Sequence, residues 1–76
     1  MTDQASFKIL VTTKDGQKIY WHKQGKIHLL PAELVETWVA KFKPDYFDIL
    51  PSGEMVGAGR DPQSLKIASV EKVLME

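Results

Sequence analysis

Two apolar segments that flank an Asp-Gly turn signal near the start of the chain most constrain what it can fold into. Residues 7–13 are rich in β-branched side chains, and residues 19–22 carry β-branched and aromatic ones. Between them, residues 14–16 read Lys-Asp-Gly. β-Branched and aromatic residues favour strands, and Asp-Gly favours the tight turn of a β-hairpin. The pattern therefore predicts two antiparallel strands.

The hydrophobic pattern also selects the register of this hairpin. A two-residue turn would scatter the apolar side chains over both faces. A three-residue loop, with Gly16 in the left-handed conformation, places Val11 opposite Ile19 and Ile9 opposite Trp21. Because a slip of one residue moves every side chain to the other face, burial favours the second register. The second face of the hairpin then carries Lys8, Leu10, Thr12, Lys18, Tyr20 and His22.

The segment from Pro31 to Lys43 predicts the helix. Pro31 suits the first helical position, where its missing N–H would have no partner anyway. Glu33 places a negative charge near the positive end of the helix dipole. Pro44 ends the helix, because the residue before a proline disfavours helical backbone. We expect one apolar stripe at helical spacing, formed by Leu34, Val35, Trp38, Val39 and Phe42. In the core, Leu34, Trp38 and Phe42 should meet Ile9, Val11 and Trp21 of the hairpin.

Further strands and one ambiguous segment complete the predicted fold. Residues 46–50 and 55–60 indicate two strands joined by a turn, the second weakened by two glycines. Residues 26–30 form either a short strand or the approach to the helix. Residues 64–75 fit a strand or a helix, and we favour a strand. We therefore expect residues 1–76 to form a single α+β domain, a small antiparallel sheet of four to five strands with one central helix packed on one face.

The absence of cysteine narrows the class of protein. It excludes disulfides, thiolate zinc sites and a cysteine nucleophile. Ten basic and ten acidic residues balance, and no apolar run approaches the roughly 18 residues that span a membrane. The first residues, Met1-Thr2-Asp3-Gln4, are polar and do not resemble a signal peptide. We expect a cytoplasmic protein that does not enter a membrane.

The residues that could carry chemistry do not form a catalytic or metal-binding pattern. His22 and His28 are the only histidines, and zinc usually takes three or more protein ligands. Residues 57–60, Gly-Ala-Gly-Arg, lack the lysine and hydroxyl residue of a P-loop. Turn and surface roles account for the nearby carboxylates of Asp45, Asp48, Glu54 and Asp61. We expect no catalytic residue, no metal and no cofactor, and therefore a protein that is not an enzyme.

The number of large apolar side chains favours a binding function. Leu10 and Tyr20 fall on the second face of the hairpin, and Phe47 alternates away from its apolar neighbours. This surface either stays exposed, which is typical of an interaction site, or is covered by the C-terminal segment. We expect a protein-interaction module that binds another protein or itself as a homo-oligomer. Its candidate contact residues are Leu10, Tyr20, His22 and Phe47.

A small nucleic-acid-binding domain is the alternative. Aromatic side chains stack on bases and lysines neutralise phosphates, and the hairpin carries both. The balanced charge of the whole chain argues against this alternative, because such binding depends mainly on basic charge. Its candidate residues are Lys8, Lys18, Tyr20, Trp21, His22 and Lys23.

Overall fold

A computed structural model describes residues 6–75 and contains one helix and eight strands in that range. In chain order these are β1 Ser6–Thr13, β2 Lys18–Tyr20, β3 His22–Lys23, β4 Lys26–Ile27, β5 Leu30–Pro31, α1 Ala32–Lys41, β6 Phe47–Ile49, β7 Met55–Gly57 and β8 Leu65–Met75. The predicted α+β class is confirmed. The prediction on residues 1–4 concerns a segment outside the described range.

Most strands form a single antiparallel sheet. Its order is β2-β1-β8-β6-β7, with β5 also pairing with β1, and β3 and β4 form a separate two-stranded hairpin. The sheet has more strands than the four to five that the sequence predicts. The difference arises because the segment before the helix divides between β4, which pairs with β3, and β5, which pairs with β1.

The predicted register of the first hairpin is confirmed. Val11 lies opposite Ile19, and the Trp21 N–H donates to the Ile9 carbonyl at 2.8 Å. Gly16 has a φ of 94°, the left-handed conformation that a three-residue loop requires. This register places Ile9 and Val11 in the core, where both side chains are fully buried.

The C-terminal segment is a strand, as predicted, and it occupies the middle of the sheet. β8 pairs with β1 along nearly its whole length and with β6 only at Leu65 and Lys66. It therefore lies beside β1 and does not cross the second face of the hairpin. Leu10 and Tyr20 on that face are half-buried.

The helix is shorter than predicted, and its apolar stripe is rotated. It spans Ala32–Lys41, with Pro31 as the N-cap and with the Phe42 N–H donating to the Trp38 carbonyl at 3.0 Å. Leu34, which we expected in the core, is 49% exposed, whereas Val35 is fully buried. The prediction for Leu34 was wrong because the helix turns Val35 inward.

No helix of residues 6–75 is long and apolar enough to cross a membrane.

Among residues 6–75, eight buried apolar side chains form the core. Two come from α1 and its C-cap, and the others come from the sheet and the loops beside it. They are Ile9, Val11, Trp21, Leu30, Val35, Phe42, Ile49 and Ile67. α1 contacts β1, β5 and β8.

Asp48 is buried, although the sequence predicted a surface or turn role for this carboxylate. Its side chain is 1% exposed, and its Oδ2 atom accepts hydrogen bonds from the Gly59 N–H at 3.0 Å and the Ser64 hydroxyl at 2.9 Å. The Lys66 ammonium lies 3.5 Å away. These donors, the Gly59 N–H first, hold the pKa of Asp48 below its ordinary value although burial opposes them. Asp48 therefore fastens the segment 59–64 to the sheet.

This bond also explains why β7 ends early. The predicted strand over 55–60 stops at Gly57, and the Arg60 N–H turns back to the Gly57 carbonyl at 3.0 Å. Gly59 has a φ of 75°, which an L side chain rarely adopts. The two glycines therefore serve a turn that directs a backbone N–H to a carboxylate of the same chain.

Replacing Asp48 with alanine is expected to destabilise the fold. The variant leaves the Gly59 N–H and the Ser64 hydroxyl without their acceptor, which costs about 1–3 kcal/mol. Urea denaturation measures this loss, and Asp45→Ala, at an exposed position near the start of β6, is the matched control.

The same pair of variants has a defined pH dependence. Because the pKa of Asp48 is lowered in the folded state, its contribution to stability is present above the ordinary value of 3.8 and is lost as the pH falls through the folded-state pKa. The difference between wild type and Asp48→Ala should therefore shrink in acid. Equal stability of Asp48→Ala and Asp45→Ala at neutral pH would contradict this role.

Candidate functional site

A row of aromatic rings connects the hairpin, the helix and β6. The ring centroids of Trp21 and Phe42 lie 4.8 Å apart in an edge-to-face arrangement. The ring centroid of Trp38 lies 5.3 Å from each of them. The ring centroids of His28 and Trp21 lie 4.7 Å apart, and those of Phe47 and Phe42 lie 5.2 Å apart. Ring pairs in such tilted and edge-to-face arrangements add about 0.5–1.5 kcal/mol each beyond their buried area. We call these five residues the aromatic cluster.

An open cleft lies over this cluster. It has a volume of about 410 Å³, which falls in the range of about 300–1,000 Å³ that binding pockets occupy. Trp21 and Phe42 are almost fully buried, at 7% and 3% exposure, and Trp38 and Phe47 are half-buried around them. The cleft, which we call the aromatic cleft, is lined by Trp21, His22, Lys23, Gln24, Trp38, Phe42, Phe47, Glu54 and Met55.

The close approach of two turns forms one wall of the aromatic cleft. The His22 N–H donates to the Gly53 carbonyl at 2.8 Å, which attaches the β3–β4 hairpin to the turn between β6 and β7. Gly53 has a φ of 100°, and a Cβ atom there would lie 2.3 Å from His22 Nδ1 and 2.6 Å from the Tyr20 carbonyl. Only glycine fits at this position. This contact brings Lys23 and Gln24 to the same cleft as Glu54 and Met55.

The two histidines have different roles at the site. His22 Nδ1 lies 2.7 Å from the Tyr20 carbonyl, which fixes the ring at the edge of the aromatic cleft. Burial, together with the positive charge of Lys23, lowers the pKa of His28 from its ordinary value. The neutral form of the His28 ring is therefore favoured beside Trp21.

The four residues predicted for protein binding lie in two places. Leu10 and Tyr20 are cross-strand partners on the second face of the sheet, where the Lys8 ammonium lies 4.6 Å from the centre of the Tyr20 ring. His22 and Phe47 line the aromatic cleft. The structure therefore brings these residues together as two pairs and not as one surface.

The residues predicted for nucleic-acid binding are also divided. Lys18 lies opposite Thr12 in the pairing of β1 with β2. Its side chain therefore lies on the second face of the sheet, together with those of Tyr20 and Lys8. Trp21 is buried in the core, and His22 and Lys23 line the aromatic cleft. The lysines and the aromatic rings thus do not form one continuous surface.

Sequence reasoning did not identify Trp38, Phe42 and Met55 as parts of a site. The two helical residues were assigned to the core, and Met55 was assigned only to a strand. The available signal was the density of aromatic residues in 20–22 and 38–47. Only the contact between His22 and Gly53 shows that these rings border an open cleft.

Neither similarity to known proteins nor a group of metal-ligating side chains assigns a function to this site. No protein-family model, curated protein or solved structure matches the chain. Among the described residues, no group of three or more histidine or carboxylate side chains is placed to hold a metal ion.

Replacing Gly53 with alanine is expected to separate the two turns and distort the aromatic cleft. Gly25→Ala is the matched control, because Gly25 also has a positive φ, 81°, but nothing lies within 4 Å of its added Cβ. Both variants carry the backbone strain of about 1–2 kcal/mol. Gly53→Ala alone adds the clash with His22, so it should be less stable and should change the near-ultraviolet circular dichroism of the tryptophans. Equal effects of the two variants would contradict the close approach.

The aromatic cluster is also expected to weaken in mild acid. The folded state holds the pKa of His28 below its ordinary value of 6.5, so the unfolded chain binds a proton first as the pH falls. Stability is thus fully present above that value and is lost as the pH drops towards the folded-state pKa. Denaturation at about pH 7.5 and about pH 5 measures the change. His28→Phe should lose less stability over this interval than wild type, and an equal loss in both would contradict the assignment.

Proposed function

We propose that this chain is a non-enzymatic protein-interaction module that holds a bulky apolar side chain of its partner in the aromatic cleft. The observation that carries the proposal is the half-exposed lining of Trp38, Phe47 and Met55 over a buried aromatic floor. Aromatic residues and methionine are enriched where proteins contact each other. In this proposal the helix packs on one face of the sheet, and its C-terminal turn forms a wall of the binding site.

The charges around the aromatic cleft favour an acidic partner segment. Lys23 lines the cleft, and Lys26 lies directly opposite it on the β3–β4 hairpin. Like charges directly opposite each other on neighbouring strands repel. The Lys41 ammonium lies 5.0 Å from the centre of the Trp38 ring, and Glu54 contributes a carboxylate to the lining. We therefore propose a partner segment with one large apolar side chain flanked by aspartate or glutamate.

The expected affinity is modest. Full burial of one large apolar side chain contributes about 1.5–3 kcal/mol, and each exposed ion pair adds about 0.2–1 kcal/mol. Together these contributions correspond to a Kd no tighter than about 0.1 mM. Such an affinity is typical of a reversible contact that works together with other contacts in a larger assembly.

Nucleic-acid binding draws less support from the same geometry. Trp21 is buried and is not free to stack on a base, and the Lys8 ammonium already lies over the Tyr20 ring. A titration with a single-stranded oligonucleotide at low salt separates this alternative from the proposal. Salt-sensitive binding that shifts the resonances of Lys8, Lys18 and Tyr20 would favour the alternative.

A titration followed by ¹H–¹⁵N NMR tests the proposal. The probe is a short peptide with one central phenylalanine flanked by aspartates, and its controls carry alanine in the centre or lysines at the flanks. We expect the phenylalanine–aspartate peptide to shift the indole N–H signals of Trp21 and Trp38 and to leave Leu10 unchanged. No shift, or equal shifts with all three peptides, would overturn the proposal.

Two charge reversals provide the matched protein variants. Lys23→Glu lies at the aromatic cleft and should weaken binding of the acidic peptide roughly five-fold. Lys18→Glu changes the same charge on the second face of the sheet and should leave binding unchanged. An equal effect of both reversals would place the peptide outside the cleft.

A further inference from the structure

Within residues 6–75, β8 lies between β1 and β6, but the edge that faces β6 is unpaired over most of its length. One edge of this strand, which spans Leu65–Met75, is occupied by β1, whereas β6 occupies the other edge only at Leu65 and Lys66. From residue 68 onward, no strand of residues 6–75 pairs with that second edge. A long strand edge of this kind is a template for pairing with another strand.

The ladder identifies which backbone groups point outward. Alternate residues of a strand direct their N–H and C=O groups to opposite sides. Ile9 and Thr13 bond towards the first hairpin partner. The alternate residues of β1, which are Lys8, Leu10 and Thr12, therefore bond towards β8. Their partners in β8 are Ser69, Glu71 and Val73. The groups left for the free edge are therefore those of Val70, Lys72 and Leu74.

We propose that this edge pairs with the same edge of a second copy of the chain, so that two sheets join into one. The three outward residues are centred on Lys72. A two-fold axis through Lys72 therefore places Val70 of one copy opposite Leu74 of the other and satisfies all three residues in both copies. A pairing register centred nearer the start of β8 would bring the second copy into collision with β6, because β6 already pairs with β8 at Lys66.

The charges on α1 and β8 fit this arrangement. At the axis the two copies of Lys72 lie side by side, which alone would be repulsive. In each copy, however, the Lys72 ammonium is paired with the Glu36 carboxylate of α1. The axis thus carries two lysines and two glutamates, and its net charge is zero.

The apolar residues at the end of β8 also fit a second copy. Leu74 and Met75 are 50% and 44% exposed, although they lie in a strand. Val70 is half-buried on the same face as Leu74. Pairing about Lys72 places Val70 and Leu74 of the two copies side by side and removes this surface from water, which is the usual driving force of association.

Sedimentation equilibrium between about 1 μM and about 1 mM tests the proposal. Wild type should shift from the monomer mass of 8.6 kDa towards twice that mass as concentration rises. Lys72→Pro should stay monomeric and folded, because its N–H faces away from β1 and proline is tolerated only at such edge positions. A wild type that stays monomeric over the whole concentration range would overturn the proposal. This holds even if an unrelated extended peptide binds to the β8 edge.

Charge variants test the two-fold axis. Glu36→Lys puts four positive charges at the axis and should abolish the dimer, whereas the double variant Glu36→Lys with Lys72→Glu should restore it. Glu33→Lys makes the same change one turn away on α1 and should leave the dimer intact. A dimer that survives Glu36→Lys or Lys72→Pro would overturn the proposed pairing.

Amide hydrogen exchange gives a residue-level signature. The N–H groups of Ser69, Glu71 and Val73 should be protected at every concentration, because they bond to β1. Those of Val70, Lys72 and Leu74 should exchange quickly in dilute wild type and slowly in concentrated wild type. Protection that does not alternate, or that does not depend on concentration, would contradict pairing through this edge.

Discussion

The position of Trp21 is the constraint on which the rest of the structure depends. Its N–H donates to the Ile9 carbonyl at 2.8 Å, and its carbonyl accepts from the His28 N–H at 3.0 Å. Its ring contacts Trp38 and Phe42 at the C-terminal end of the helix. Trp21 thus lies at the end of the first hairpin, bonds to the segment that follows the second hairpin and contacts the end of the helix. In a chain of 76 residues without disulfides, one such junction replaces the staples that many small domains need.

The aromatic cleft follows from the same junction. Trp21 and Phe42 fill the floor, and Trp38 and Phe47 stay half-buried around it. The contact between His22 and Gly53 fixes the rim without filling the space. In our proposals a partner side chain fills the cleft and a second copy pairs with β8. The two surfaces involve different strands, so their occupation can be measured independently.

The sequence predicted the local elements well, because each had its own signal. Alternation and the Asp-Gly turn gave the register that pairs Val11 with Ile19, and Pro31 marked the start of the helix within one residue. It did not predict features that depend on which segments meet. The sequence indicated a turn or surface role for Asp48, whereas the turn that carries Gly59 buries this carboxylate. Likewise, nothing in the pattern of β8 indicates which strands flank it.

The central claim is that the Trp21 ring joins the hairpin to the helix beneath an open cleft. Two-dimensional NOE spectroscopy of the free protein tests this claim most directly. The account predicts contacts from the Trp21 ring protons to the rings of His28, Trp38 and Phe42 in the same sample. A folded protein that shows dispersed amide signals but lacks the contacts from Trp21 to Trp38 and Phe42 would contradict it.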